Sequence, residues 1–379
     1  EMCIRDRLKQ YGFERIKAAD MIDSYNFEDR KLVEIVKATY FNPKIVVIDE
    51  TTTALSQEGR EELYKHMERI RKSGNTVIFI SHDLPEIIEK SDTITILRDG
   101  VYIDTVKSKD VNENDLKKLM VGREVTGDYY RSDYGEKISD EVVLSAKHVT
   151  VPGLIEDVSF DLHKGEILGF GGLSESGMHE IGKAIFGASY DREGTVELAD
   201  GTQINDIPTA IKHSIAYTSK DRDNESVVLN QSIGDNICLP SLDELSGPAH
   251  LISDKKKKDF ANKFAKQMSV KMVDVNQFVS NLSGGNKQKV VLARWIGKDS
   301  DIVVLDSPTR GIDIKVKQDI YQLMNQMRKN GKSIIMISEE LMELIGMCDR
   351  IMIMKDGKIS GELERDQNLD ENGLITMMV

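Results

Sequence analysis

Cysteine is scarce in this sequence: Cys3, Cys238 and Cys348 are the only three among 379 residues. An odd, scattered set excludes a disulfide framework and a thiolate metal cluster, and it fits a reducing compartment. Long apolar runs are missing too. Nothing approaches the roughly 18–20 residues that span a bilayer, so no transmembrane helix is expected. The opening residues, "EMCIRDR", do not read as a secretory signal, and they have no obvious structural logic. Excess positive charge is also lacking. A formal net charge of -13 argues against a dedicated nucleic-acid binder, which would need a basic surface against phosphates. The one basic run, Lys255–Lys258, reads as a solvated helix face.

What is present is a repeat. A shift of 257 residues sets "IVVIDETTTALS" (45–56) on "IVVLDSPTRGID" (302–313), Asp49 on Asp306. It also sets "FISHDLPEIIEKSDTITILRDG" (79–100) on "MISEELMELIGMCDRIMIMKDG" (336–357), and "YNFEDRKLVEIVKA" (25–38) on "LSGGNKQKVVLARW" (282–295). One ungapped register over about 75 residues indicates duplication. The later copy contains a glycine-rich turn at 172–177 whose counterpart would fall before residue 1. The first copy is therefore expected to lack its front, roughly a hundred residues. The expected organisation is the back of a first domain (1–122), a polar connector (123–141) and a whole second domain (142–379).

Short β-branched runs such as "KIVVIDE", "NTVIFIS" and "DTITILRDG" read as buried strands. Leu63, Met67 and Ile70 recur at helical spacing, and Gly74 can close that helix. Such alternation predicts an α/β fold with a mostly parallel sheet flanked by helices. The start of the second copy, "VVLSAKHVTV" to "GTVELADGTQI", predicts an antiparallel flank. The methionines Met324, Met327, Met336, Met352 and Met354, and Trp295, read as packing.

Two stretches have the layout of an anion site, a layout that the first shares with any strand–glycine–helix turn and the second with a bare helix cap. In "KGEILGFGGLSESGMHEIGKAIFG" (164–187) a strand enters a glycine turn and then a helix, with Ile181 and Ile185 on its apolar side. Converging backbone N–H groups and a helix N-terminus favour an anion there. The full phosphate-cradle pattern has Lys and Ser/Thr after its last glycine. Here Gly172 and Gly177 keep the spacing, while Met178 and His179 stand in for those two residues. In "NLSGGNKQKVVLARWIG" (281–297), Ser283, Gly284 and Gly285 open an amphipathic helix suited to an anion.

Together with "VVLDSPTRGID", these motifs resemble, in order, the motif set of ABC-type ATPases, a P-loop NTPase fold with a helical subdomain. The duplication, "MVGREV", "GLSESG" and "SPTRGID" resemble the tandem ATP-binding subunits of bacterial sugar importers of the ribose, galactose and xylose type, or of related nucleoside systems. The resemblance implies ATP and Mg²⁺ as ligands and two sites. Each takes its glycine turn, acids and switch His from one domain and its LSGGN-type helix start from the other. Asp49 would act on Mg²⁺, through water. Glu50 would polarise the attacking water, and His82 would sense the γ-phosphate. Ser283, Gly284, Gly285 and Gln288 would contact nucleotide.

The departures fall on one side. The second domain has Met178, His179, Ser307 for Glu and Glu339 for His, beside Gly172, Ser174, Ser176, Gly177 and Asp306. The first domain keeps Asp49, Glu50 and His82 but reads Asn26-Phe27-Glu28 at the helix start. Head-to-tail pairing would put all losses into one degenerate site and leave the other whole. Without the front of its first domain the chain is expected to be inactive alone. Arg310 and Asp313, after the second acid strand, are expected either in the loop joining the two domains or in a purely structural turn. The stretch 219–237 is expected near the γ-phosphate and the membrane partners, although the usual Gln is not evident around Ser219-Lys220.

The resemblance thus implies an ATPase subunit lying peripherally on the cytoplasmic face of the membrane. It would drive permease subunits fed by an extracytoplasmic solute-binding protein, and would bind no nucleic acid. Two other readings are a soluble tandem ATPase acting on ribosomes or nucleic acid, and a non-catalytic regulatory partner. Acidic charge and a short connector disfavour the first.

Overall fold

The computed structural model describes residues 2–10, 13, 15–25, 27–49, 51–55, 57–81, 83–98, 101–121, 129–134, 138–173, 175–247, 250–312, 314–366 and 369–378. Two compact units emerge, 1–126 and 127–379.

In the first unit, the β-branched run Ile45–Asp49 forms β1 and Thr76–Ile80 forms β2, paired in parallel. The helix Gln57–Lys72 links them and buries Leu63 and Met67. Gly74, at φ +80°, turns the chain out of that helix. A helix at Leu84–Lys90 leads to an antiparallel hairpin, β3 (Thr93–Arg98) and β4 (Val101–Lys107). The helix Phe27–Thr39 packs on the turn that follows β1.

The second unit has two sheets. The first is a three-stranded antiparallel flank, in which β5 (Val142–Val151) lies between β6 (Ile155–His163) and β8 (Glu193–Leu198). Alternation along β6 explains its place, since Ile155, Val158, Phe160 and Leu162 face the core while polar residues face out. The second sheet contains β7 (Ile167–Gly172), β9 (Ile215–Thr218), β10 (Ile302–Asp306), β11 (Ser333–Ile337), β12 (Arg350–Lys355) and β13 (Lys358–Glu364). Its order is β13-β12-β7-β11-β10-β9, parallel except for the edge strand β13. The continuous apolar runs of β10 and β11 are buried on both faces, as a helix-covered parallel sheet requires. The sequence placed β7 with the antiparallel flank; it joins the parallel sheet instead, because "ILGFGG" is buried throughout and pairs with β11 and β12.

A helical part (Ile233–Cys238, Asp254–Gln267) packs on the long helix Gly284–Lys298. Arg294 on that helix is buried and donates to the carbonyls of Asn236 and Ser226. Within the expected connector, Tyr129 and Tyr130 pack edge-on and tilted against Tyr321. Arg131, its side chain 1% exposed, donates to Asp133, Asp349 and the carbonyl of Met347. Residues 129–134 are thus strapped onto the second unit.

Candidate functional site

Parallel strands deliver their C-terminal ends to one edge of the sheet, where α/β folds bind ligands. At that edge of the second unit, β7 runs into the glycine turn and the helix Met178–Ile185. Gly177 sits at φ +89°, and a Cβ there would lie 2.5 Å from the carbonyl oxygen of Leu154, so only glycine fits. Ser176 has a buried hydroxyl with no hydrogen-bond partner among the described residues. Ser174 lies outside the described residues. Met178 is fully buried in the apolar core rather than offered to the turn.

The rest of the edge is closed by side chains that satisfy one another. His179 donates from Nδ1 to Asp306 Oδ1, 2.7 Å away at the end of β10. Its Nε2 lies 3.3 Å from Glu339 Oε1 and 3.0 Å from Lys220 Nζ. Lys220 donates to Glu339 across 2.7 Å. Asp306 also accepts from Ser307 Oγ at 3.3 Å and, on Oδ2, from the Tyr217 hydroxyl at 3.4 Å. Asp306 is 1% exposed, so its charge depends on these partners. Burial favours a neutral His179, but the bonds and charges of Asp306 and Glu339 outweigh burial and the repulsion of Lys220, and its pKa rises above the ordinary value. Burial, then the charge of Asp306, pushes the Tyr217 phenol up.

These residues do not fit a magnesium ion, which needs hard oxygen ligands and room for its waters. An imidazole stands where the cradle pattern has a hydroxyl, and the Asp306 oxygens already accept from protein donors. Ser307 follows Asp306 at φ +49°, with its N–H donating to the Ile337 carbonyl. The structure therefore brings Gly177, His179, Asp306, Ser307 and Glu339 together. Lys220 and Tyr217 complete the group. Both lie at the end of β9, and only the missing Gln beside Lys220 hinted at them in the sequence.

The LSGGN-type helix start lies elsewhere in the same unit. Ser283 precedes the first helical residue, Gly284, and accepts from Asn286 Nδ2 at 2.9 Å rather than capping the helix. The helix N–H groups are thus left to other partners. The guanidinium of Arg222 flanks Gly284, and Lys287 pairs with Asp223 at 3.0 Å, so the approach carries basic groups. Gly285 is half-buried and Gln288 buried. Arg310 closes a turn by donating its N–H to the Ser307 carbonyl. Asp313 is outside the described residues.

In the first unit Asp49 ends β1 with an exposed side chain. Glu50, His82 and Asn26 lie outside the described residues, as do the side chains of Phe27 and Glu28.

Comparison with known proteins bears on the family and the fold. The ABC transporter family model matches residues 155–310. The ribose import ATP-binding protein RbsA of Lactococcus lactis is 40% identical over 93% of this chain and 70% of its own length. The xylose import ATP-binding protein XylG of Thermoanaerobacter pseudethanolicus is 42% identical over 89% of this chain and 68% of its own. Among solved structures, the dimeric structure of MJ0796, a bacterial ABC transporter cassette, superposes with a TM-score of 0.52. It covers 59% of this chain and 99% of its own at 22% identity, which speaks for the fold alone. Motif order, sheet order and these relatives agree: the chain belongs to the family of sugar-import ATP-binding proteins of ABC transporters.

Proposed function

We propose that this chain belongs to the ATP-hydrolysing subunit of an importer for ribose, xylose or a similar small sugar, with one working and one degenerate ATP site. The observation that carries the asymmetry is the closed His179–Asp306–Glu339–Lys220 group in the second unit. It leaves neither a general base nor a metal position, whereas the first unit retains Asp49, Glu50 and His82.

In this reading Asp49 would hold Mg²⁺ through water, and the ion would supply charge screening of the phosphates. Glu50 accepts a proton from the attacking water as the bond between the γ-phosphorus and the bridging oxygen breaks and ADP leaves. His82 donates a hydrogen bond toward the transferred phosphoryl group. Positioning and charge stabilisation supply most of the rate, as in other phosphoryl transfers. Ser283, Gly284, Gly285 and Gln288 would contact nucleotide. ATP turnover drives permease subunits at the cytoplasmic face of the membrane, and an extracytoplasmic binding protein supplies the sugar.

The test is ATP turnover by the full-length protein in its transporter. Glu50→Gln is expected to lower turnover about a hundredfold or more, the scale of a lost general base. Ser307→Ala is expected to leave it within a factor of about two. Wild-type turnover in Glu50→Gln would sink the site assignment.

A further inference from the structure

Each unit buries a glutamate among hydroxyls, and the three hydroxyl partners match across the repeat, although Glu343 also accepts from Lys317 Nζ at 3.4 Å. In the first unit, Glu86 is 5% exposed and accepts from Thr52 Oγ1 at 3.0 Å, from Ser81 Oγ at 2.8 Å and from the Tyr64 hydroxyl. In the second unit, Glu343 is fully buried and accepts from Thr309, Tyr321 and, at 2.8 Å, Ser338. All four pairs stand 257 residues apart. Each cluster ties together three things: the turn after an acid strand (Thr52, Thr309), the helix that follows it (Tyr64, Tyr321), and the end of the next strand (Ser81, Ser338).

The serine is the telling member. Ser81 Oγ also accepts the N–H of Asp83, and the Asp83 carboxylate accepts the N–H of Glu86. Both neighbours of position 82 are therefore fixed to Glu86. The second unit shows what this achieves. Ser338 Oγ accepts the N–H of Glu340, and between these two anchored residues Glu339 reaches Lys220 and His179 at the glycine turn. The cluster thus aims the side chain after the serine at the phosphate edge. The carboxylate is essential to this design. It can accept from three hydroxyls at once, whereas an amide in its place would turn an N–H₂ group toward a donor.

We infer that Glu86 is a positioning residue for hydrolysis: it fixes Ser81 and Asp83, the two residues that flank His82 in the sequence, and through Thr52 it steadies the turn after β1. Glu343 does the same mechanical work where the reacting groups are absent. This inference rests on the proposed assignment of Glu50 and His82 to the working site.

The repeat supplies its own control. Steady-state ATP hydrolysis by the full-length protein would be measured for Glu86→Gln and the milder Tyr64→Phe, and for their counterparts Glu343→Gln and Tyr321→Phe. Misplacing a reacting group costs turnover rather than ground-state binding, so Glu86→Gln is expected to lower kcat about tenfold or more with KM for ATP within about twofold. Tyr64→Phe is expected to lower kcat about threefold, and the two second-unit variants to keep it within about twofold while lowering the thermal midpoint of unfolding. Equal losses of kcat at both clusters, or a lower midpoint with wild-type kcat in the first-unit variants, would overturn the inference. If Glu86→Gln fails to fold, wild-type kcat in Tyr64→Phe overturns it alone. Glu50→Gln, assayed in parallel, separates the levels: wild-type turnover there means that the underlying site assignment has failed.

Discussion

His179 and Asp306, 127 residues apart in sequence, meet across 2.7 Å at the edge of the second unit's sheet. The partner carboxylates raise the imidazole pKa above its unfolded value, so folding favours the protonated ring. That contribution is present in full below the unfolded value of about 6.5, and it is lost as pH rises through the raised folded value. The thermal midpoint of His179→Ala should therefore fall further below wild type at about pH 6 than at about pH 9. Equal gaps at both pH values would mean that the ring does not change its protonation state between them.

Arg131 straps the connector down through Asp133, Asp349 and the Met347 carbonyl. Arg131→Ala is expected to destabilise the second unit by about 2–3 kcal/mol, part of the usual cost being spared because Arg328 still pairs with both aspartates. Limited proteolysis should then cut within 129–134 faster than in the wild type. Unchanged cleavage would show that the tyrosine pair alone holds the strap.

Gly182, on the helix after the glycine turn, lets that helix approach the sheet. A Cβ there would lie 2.9 Å from the Tyr217 ring and 3.0 Å from Ile337. Gly182→Ala should cost about 1–3 kcal/mol by overpacking. It should also displace Tyr217 from Asp306, which absorbance titration of tyrosine would detect as a phenol ionising at lower pH.

Cys238 and Cys348 are both buried. Burial pushes the Cys238 thiol up to about 11 and raises that of Cys348 as well. At pH 8 both should alkylate about a hundredfold more slowly in the native protein than in denaturant. Fast native labelling of Cys238 would mean that the helical part opens readily.

Much of the fold was legible because local pattern and tertiary demand agree. The runs ending at Asp49 and Asp306 are β-branched and form strands, and the register of the repeat set their equivalence before any contact was known. The glycine turn was legible from Gly172 and Gly177. What escaped needed three dimensions. A strand boundary alone does not tell which sheet it joins, so β7 was misplaced with its neighbour β6. Nor could spacing show that Lys220 balances Glu339, or that Tyr129 and Tyr130, in a polar stretch, cover Tyr321. The buried glutamates were visible in the aligned repeats, but an isolated Glu on a short helix carries no mark of its hydroxyl partners.

The closed group around His179 also limits which single substitutions this edge tolerates. A small hydroxyl at 179 would leave Asp306 buried without its nearest donor, and a histidine at 339 would take from Lys220 its carboxylate partner. Each change alone leaves an unpaired or repelled charge, so these positions tolerate exchange together better than singly.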